Sequence, residues 1–198
     1  MLKFFSLGSG SSGNCYFLTT GQHSILIDAG LTMRNLKRTL QSYGFDLSDI
    51  EAVFVTHDHA DHIKSVGNLA NDMDIPIYAT QPVHMGINRN YCVTSKLTAE
   101  HQGYINKEEP LQFGDFCITP FEVCHDSSDC VGYKVEADGQ TFVLITDAGS
   151  VTPILMERIS EANYLVLESN HDEAMLAMGP YPAYLKGRIR SGRGHLSN

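Results

Sequence analysis

Apolar residues along the chain fall into short runs, and the spacing within each run separates strands from helices. Continuous or alternating runs predict strands near Lys3 to Leu7, Cys15 to Thr19, Ser24 to Ile27, Ala52 to Val55, Ile75 to Tyr78, Phe116 to Val123, Val131 to Glu136, Thr141 to Ile145 and Tyr164 to Leu167. Helical spacing falls between them. Met33 to Tyr43 carries Leu36 and Leu40 four apart and stops at Gly44, Asp61 to Asn71 turns Ile63, Val66 and Leu69 inward, and Pro153 to Ser160 is a third helix. Asp138-Gly139 between two strand-like runs signals a tight hairpin. Strands in two groups, each followed by helices, predict an α/β (α+β) domain in which a pair of sheets is covered outside by helices.

One strand ends in a concentration of chemistry. Ala52-Val53-Phe54-Val55 leads straight into Thr56-His57-Asp58-His59-Ala60-Asp61-His62, with three histidines and two aspartates in seven residues. A strand that delivers its last side chains into a turn can aim several imidazoles at one point. Imidazole with carboxylate is the usual donor set for zinc and related divalent ions. Two further candidates sit where predicted strands end, His125 after Phe116 to Val123 and Asp147 after Thr141 to Thr146, and His195 follows near the end of the chain.

Composition narrows the class. With 198 residues, 42% of them apolar, the chain suits one domain with a sizeable core, and no apolar run approaches the length of a membrane span. Five cysteines, odd in number and without a CxxC pair, fit a reduced cytoplasmic setting. Cys124 beside His125 reads as a buried thiol, since neighbours on a strand point to opposite faces.

The order HxHxDH at 57–62, then His125, Asp147 and His195, resembles the metallo-β-lactamase superfamily of hydrolases over nearly the whole chain. Asp28 in Ile25-Leu26-Ile27-Asp28-Ala29-Gly30 fits the superfamily's first motif, an acid that orients ligands without binding metal. The opening Ser6-Leu7-Gly8-Ser9-Gly10-Ser11-Ser12-Gly13-Asn14 and the closing Ser169-Asn170-His171-Asp172 and Gly194-His195-Leu196-Ser197-Asn198 resemble the YycJ (WalJ) group within it. The resemblance implies the four-layer αββα metallo-β-lactamase fold, two mixed β-sheets sandwiched by helices, as a single domain over 1–198. Such domains continue past their last metal motif, whereas this chain stops three residues after His195, so a missing C-terminal end is expected.

The same resemblance implies two divalent ions, Zn2+ foremost, with Mn2+ or Fe2+ also compatible. One takes His57, His59 and His125, the other Asp61, His62 and His195, with Asp147 bridging and a metal-bound hydroxide as nucleophile. Asp58 points away from the metals by this pattern; a helix N-terminal cap is the other reading. His171 resembles the accessory histidine of nuclease members, a leaving-group acid, or is an ordinary loop histidine. Asp61, Asp147 and His171 are thus the expected catalytic residues.

Substrate class rests on the rest of the site. The Asp147 motif holds no cysteine, which argues against thiolate-using β-lactamases and toward the phosphodiesterase and glyoxalase branches. Lys186, Arg188, Arg190 and Arg193 place four of fourteen basic residues just before His195, where Arg188 and Arg190 either guide phosphates or form a solvated face. The turn from Gly8 to Asn14, with Ser9, Ser11 and Asn14, either cradles an anion or simply turns tightly. The net charge of −9 opposes a strong clamp on a polyanion, but screening over roughly 8 Å leaves local groups in control, which suits a transient or processive contact. The YycJ resemblance implies a 5′ to 3′ exonuclease on double-stranded DNA, with nucleic acid as partner and neither a membrane nor an obligate protein partner. The alternatives are an ester or thioester hydrolase of glyoxalase type, an RNA-processing nuclease, and a non-catalytic domain that kept the fold. The stretch Asn88 to Glu109 is placed to be a substrate-facing arm, yet has no basic or glycine-rich character.

Overall fold

The structure is a computed structural model that describes residues 1–198. Its first half builds a mixed six-stranded sheet whose spatial order follows the chain: β1 (Lys3–Gly8), β2 (Cys15–Thr19), β3 (Ser24–Ile27), β4 (Ala52–Phe54), β5 (Ile77–Ala79) and β6 (Gln102–Tyr104). The first three strands are antiparallel, and the pairs from β3 to β6 are parallel. Parallel neighbours need crossovers, supplied by α1 (Met33–Ser42), by α2 (Ala60–Ile63) with α3 (Val66–Met73), and by α4 (Gln81–Arg89). The second half builds a five-stranded sheet from β7 (Leu111–Phe113), β8 (Phe116–Glu122), β9 (Val131–Ala137), β10 (Gln140–Ile145) and β11 (Tyr164–Leu167), in the order β11-β10-β9-β8-β7. Only β10 and β11 run parallel, joined through α5 (Pro153–Glu161); α6 (Glu173–Met178) and α7 (Ala183–Ile189) follow.

The pleat explains the layers. Successive strand side chains leave on opposite faces, so Leu26 and Val53 pack with Leu36, Leu40 and Leu69 under the first helix layer, while Ile25, Ile27 and Phe54 face the other sheet. From that sheet Phe142 and Leu144 point to the inter-sheet core with Tyr133 and Val135, and Val143 and Ile145 point outward to Leu155 of α5. Both faces of the middle strands are covered, which is why Ser24–Ile27 reads as a continuous apolar run. The result is the expected helix–sheet–sheet–helix sandwich.

Local signals hold where a residue enforces them. Asp138 and Gly139 both have positive φ, 52° and 70°, the geometry a two-residue hairpin needs to follow the strands' twist. Thr32 caps α1 by accepting from Asn35 N–H. The predicted single helix from Asp61 to Asn71 is instead two: Ser65 N–H bonds the Ala29 carbonyl and its hydroxyl bonds the Leu31 carbonyl, which breaks the helix while Ile63, Val66 and Leu69 stay buried. Asn88 to Glu109 is not a free arm. It ends α4 and lays down the edge strand β6 beside β5.

Sheet direction assembles the site. In the second sheet β8 and β10 point the same way and β11 is parallel to β10, so the residues following all three emerge at one edge, beside the end of β4. Tyr133 O–H donates to the Val55 carbonyl at 2.7 Å and Val131 N–H to the Thr56 carbonyl at 3.1 Å, fastening β9 across the sandwich to the first histidine loop. Tyr133→Phe removes the only polar group of a fully buried ring and should cost about 1–3 kcal/mol. In a chain of this size each kcal/mol lowers Tm by about 2–4 °C, so thermal unfolding reads the effect; an unchanged Tm would show that the bond does not lock the sheets together.

Candidate metal centre

Asp28 organises the first loop. It follows β3 in the left-handed region, φ 60°, which aspartate tolerates better than most residues. Its fully buried carboxylate accepts from Thr56 N–H at 2.8 Å, from the Thr56 hydroxyl at 2.9 and 3.1 Å, and from His62 Nδ1 at 2.7 Å. Burial works against charge on His62, but the Asp28 carboxylate and the Asp147 hydrogen bond outweigh it and raise the ring to about 10. The next residues clamp the other end of the motif: Ala29 N–H bonds the His62 carbonyl at 2.7 Å, and a side chain on Gly30 would lie 1.6 Å from the Asp61 carbonyl. Only glycine fits there.

Three rings then converge. The centroids of His57, His59 and His125 lie 4.6 to 4.9 Å apart, and His125 Nε2 faces His59 Nδ1 at 3.2 Å. His57 Nδ1 is engaged by the Thr56 hydroxyl at 3.0 Å and His125 Nδ1–H donates to the Gly194 carbonyl at 2.9 Å. His57 Nε2 is buried without a partner. Burial pulls His57 well below the ordinary histidine range and His125 down as well, so both rings are neutral with lone pairs to give. A buried ring nitrogen without a partner is costly unless it is a ligand, and neutral imidazoles fit zinc-type ions.

Asp147 links this triad to a second group. Its carboxylate reaches His62 Nε2 at 3.0 Å and His195 Nδ1 at 3.3 Å, and despite burial these donors hold it well below the usual carboxylate range. Three sets bring ligand atoms within 4.8 Å of one another: His57, His59 and His125; His57, His62 and Asp147; His125, Asp147 and His195. Asp61 stands at the margin, its Oδ2 3.7 Å from His62 Nε2. The donors present suit divalent cations in number and chemistry.

His195, expected beside Asp61 and His62, joins the cluster within ligand distance of His125 and Asp147. The His195 ring lies 5.0 Å from that of His125, and its Nδ1 is bound by Glu168 Oε1 at 2.6 Å. Glu168, at the end of β11 with a side chain 5% exposed, also accepts from Ala148 N–H at 2.7 Å and Leu196 N–H at 3.2 Å, so one carboxylate fixes both the Asp147 and His195 loops. The Asp147 and Glu168 carboxylates raise His195 to about 9. Glu168 has no motif around it; its one signal is an acid at a strand end, the signal Asp28 and Asp147 share.

Other expected residues are redistributed. His171 does not line the cleft: the chain past Glu168 pairs with 196–198, through Asn198 N–H to the His171 carbonyl, and the half-buried ring makes no hydrogen bond, with Nε2 3.5 Å from Glu173 Oε1. Asn14 lines the cleft, and its amide also accepts from Gly10 N–H at 2.9 Å and donates to the Gly10 carbonyl and to Asp61 Oδ2 at 3.3 Å, closing the turn that carries Ser9 and Ser11 into the cleft. Asp58 is no helix cap. It accepts from Ser128 N–H at 3.1 Å and the Ser128 hydroxyl at 2.6 Å, tying down the loop after His125. The basic run splits around its helix, with Lys186 on the Ala177 carbonyl, Arg190 on Glu173 and Arg193 on the His125 carbonyl; Arg188 alone borders the cleft, paired with Asp126. The cleft, about 520 Å³, has the Ser9–Ser11 turn, Ser169 and Asn170 along its walls and His59, Asp61, Asp147 and His195 at the metal-binding cluster.

The sequence matches the family described as "Beta-lactamase superfamily domain" over residues 23–197. It is 34% identical over 197 residues to Exodeoxyribonuclease YycJ of Bacillus anthracis, covering 100% of this chain and 74% of that protein. It is equally 34% identical over 196 residues to Exodeoxyribonuclease WalJ of Streptococcus pneumoniae serotype 2, covering 99% and 72%. In fold it is similar to the crystal structure of Zn2+-bound PqqB from Methylobacterium extorquens, with a TM-score of 0.72 at 19% identity over 93% of this chain and 68% of that one. An acid-oriented histidine loop at one edge of a two-sheet sandwich and sequence identity along its whole length place this chain in the metallo-β-lactamase superfamily of hydrolases, among the relatives of YycJ and WalJ.

Proposed function

We propose that the chain is a dinuclear metal-dependent phosphodiesterase that degrades double-stranded DNA from the 5′ end. The observation that carries the metal site is the buried, partnerless His57 Nε2 at the meeting point of two donor sets. The substrate follows from the exodeoxyribonuclease relatives together with a hydroxyl-lined cleft bordered by a guanidinium. His57, His59 and His125 would hold one ion and His62, with Asp61 at its margin, the other, with Asp147 within reach of both sets. Bound Zn2+, or Mn2+ or Fe2+ in its place, supplies an activated water near neutral pH and neutralises phosphate charge. The five free cysteines support a reduced cytoplasmic setting, and no helix is long and apolar enough to cross a membrane.

The chain's own groups do the rest. Asp28, Asn14 and Asp58 hold the histidine loops in place, and Ser9 and Ser11 offer hydroxyls to a phosphate. His195 serves as leaving-group acid, a role the sequence assigned to His171: Glu168 occupies Nδ1, and Nε2, which has no protein partner, is left to give its proton to the departing oxygen.

Metal-loaded protein incubated with end-labelled duplex DNA, single-stranded DNA, RNA and a thioester tests the reading. Release of nucleotides from the 5′ end of duplex is expected; hydrolysis of the thioester without cleavage of DNA would overturn it.

Elemental analysis should find close to two ions per chain and Asp147→Ala should lose most of them. A ring raised to about 10 carries a proton at pH 7, so an ion at His62 must expel it. Zinc binding should therefore release protons at pH 7 and tighten as pH rises toward 10. Calorimetric titration in two buffers of different ionisation enthalpy reads the release, and identical heats would remove His62 from the ligand set.

Glu168→Gln should lower kcat on DNA about 10- to 100-fold while metal content stays near two, with a much smaller loss on a p-nitrophenyl phosphodiester, whose leaving group needs little proton help. Loss of an ion in this variant would mean that His195 is a ligand after all.

A further inference from the structure

Arg188 is the only lysine or arginine bordering the cleft, and its fork is already occupied. Nε and Nη2 lie 2.5 and 2.9 Å from the two carboxylate oxygens of Asp126. Asp126 follows His125 directly and leans on the histidine cluster: its carbonyl is 3.2 Å from His59 Nε2 and its Oδ1 3.4 Å from His125 Nε2. The two side chains are 45% and 29% exposed, so the pair is open to water and can exchange partners without unburying a charge. The planar fork of a guanidinium fits two phosphate oxygens as well as two carboxylate oxygens.

We propose that Arg188 is a phosphate-binding residue with two alternative partners, Asp126 in the free protein and a backbone phosphate of the substrate in the complex. Asp126 thereby sets substrate affinity by competing for the fork, and this rests on the phosphodiesterase reading above. The pairing keeps a long side chain pointed at the cleft before substrate arrives, reducing the rotamer freedom lost on binding. It also raises the threshold for exchange. An anion in free solution gains little by displacing Asp126, whereas a phosphate seated at the metal cluster presents its oxygens to Arg188 at high effective concentration. A chain with net charge −9 that must move along DNA has reason to keep its one cleft cation from holding backbone too tightly.

Double-mutant analysis separates this exchange from a general charge effect. Binding of metal-loaded protein to a cleavage-resistant phosphorothioate duplex is followed by fluorescence anisotropy for the parent, Asp126→Asn, Arg188→Gln and the double variant. Asp126→Asn should tighten binding about tenfold, Arg188→Gln should weaken it and reduce the salt slope by about one, and the double variant should match Arg188→Gln alone. Asp126→Ser, expected to behave as Asp126→Asn, guards against a folding defect in either. Equal tightening by Asp126→Asn with and without Arg188, no tightening in either variant, or a parent that binds no duplex would each overturn the exchange. Hydrolysis of bis-p-nitrophenyl phosphate by the same preparations tests the underlying reading separately. A parent inactive on every phosphodiester removes the function, and an active parent with additive variants removes only the role of Asp126.

Discussion

A single buried carboxylate, that of Asp28, sets the geometry on which the metal-binding loop depends. A charge taken out of water must be matched by donors, and Asp28 obtains them from Thr56 N–H, the Thr56 hydroxyl and His62 Nδ1. Because β3 and β4 are parallel neighbours in fixed register, Ile27 opposite Phe54, Asp28 leaves its strand level with Val55 and within reach of Thr56 one residue on. The match therefore orients His62 with Nε2 toward Asp147 and brings Thr56 against His57 Nδ1, leaving His57 Nε2 free. One buried acid thus decides which nitrogen each of two histidines presents to the cluster.

The same device recurs at every approach to the centre. Glu168 orients His195, Asp58 holds the loop after His125, and Gly194 supplies the carbonyl that fixes the His125 tautomer. These partners come from separate stretches of chain, so the site's precision belongs to the packing of two sheets and not to any one loop. The electrostatics divide accordingly. Neutral rings, kept neutral by burial, gather as His57 and His125, while His62 and His195 are held up by carboxylates and pair with the strongly acidic Asp147. Positive charge is scarce around them. With Lys186, Arg190 and Arg193 engaged elsewhere, Arg188 is the one basic side chain that borders the cleft.

Much of this was legible in the chain. Central strands such as Ser24–Ile27 and Gln140–Ile145 carry unbroken apolar stretches because both of their faces are buried, and the Asp138-Gly139 hairpin follows from backbone conformation alone. The short edge strands β6 and β7 were not visible: three residues with one face to solvent do not alternate strongly enough to stand out. Nor were α4, α6 and α7, although Pro82 in the first turn of α4 and Asp172 capping α6 are recognisable starts. The continuous helix expected from Asp61 broke because Ser65 makes its hydrogen bonds to Ala29 and Leu31, residues remote in sequence.

What the sequence determined by itself is what local chemistry dictates: strand faces, the tight turn, and a histidine–aspartate cluster whose residue types suit divalent cations. What only the tertiary structure decided is which of these groups meet. His195 meets His125, Asp147 and Glu168, His171 lies outside the cleft, Asn14 ties the Ser9–Ser11 turn to Asp61, and Arg188 but not Arg190 borders the cleft. The physical reason is directional. A residue's type states what it can bond, but its partner depends on which sheet edge, helix face or loop crossing the rest of the chain brings within about 3 Å, and such distances are fixed by burial and register far along the sequence.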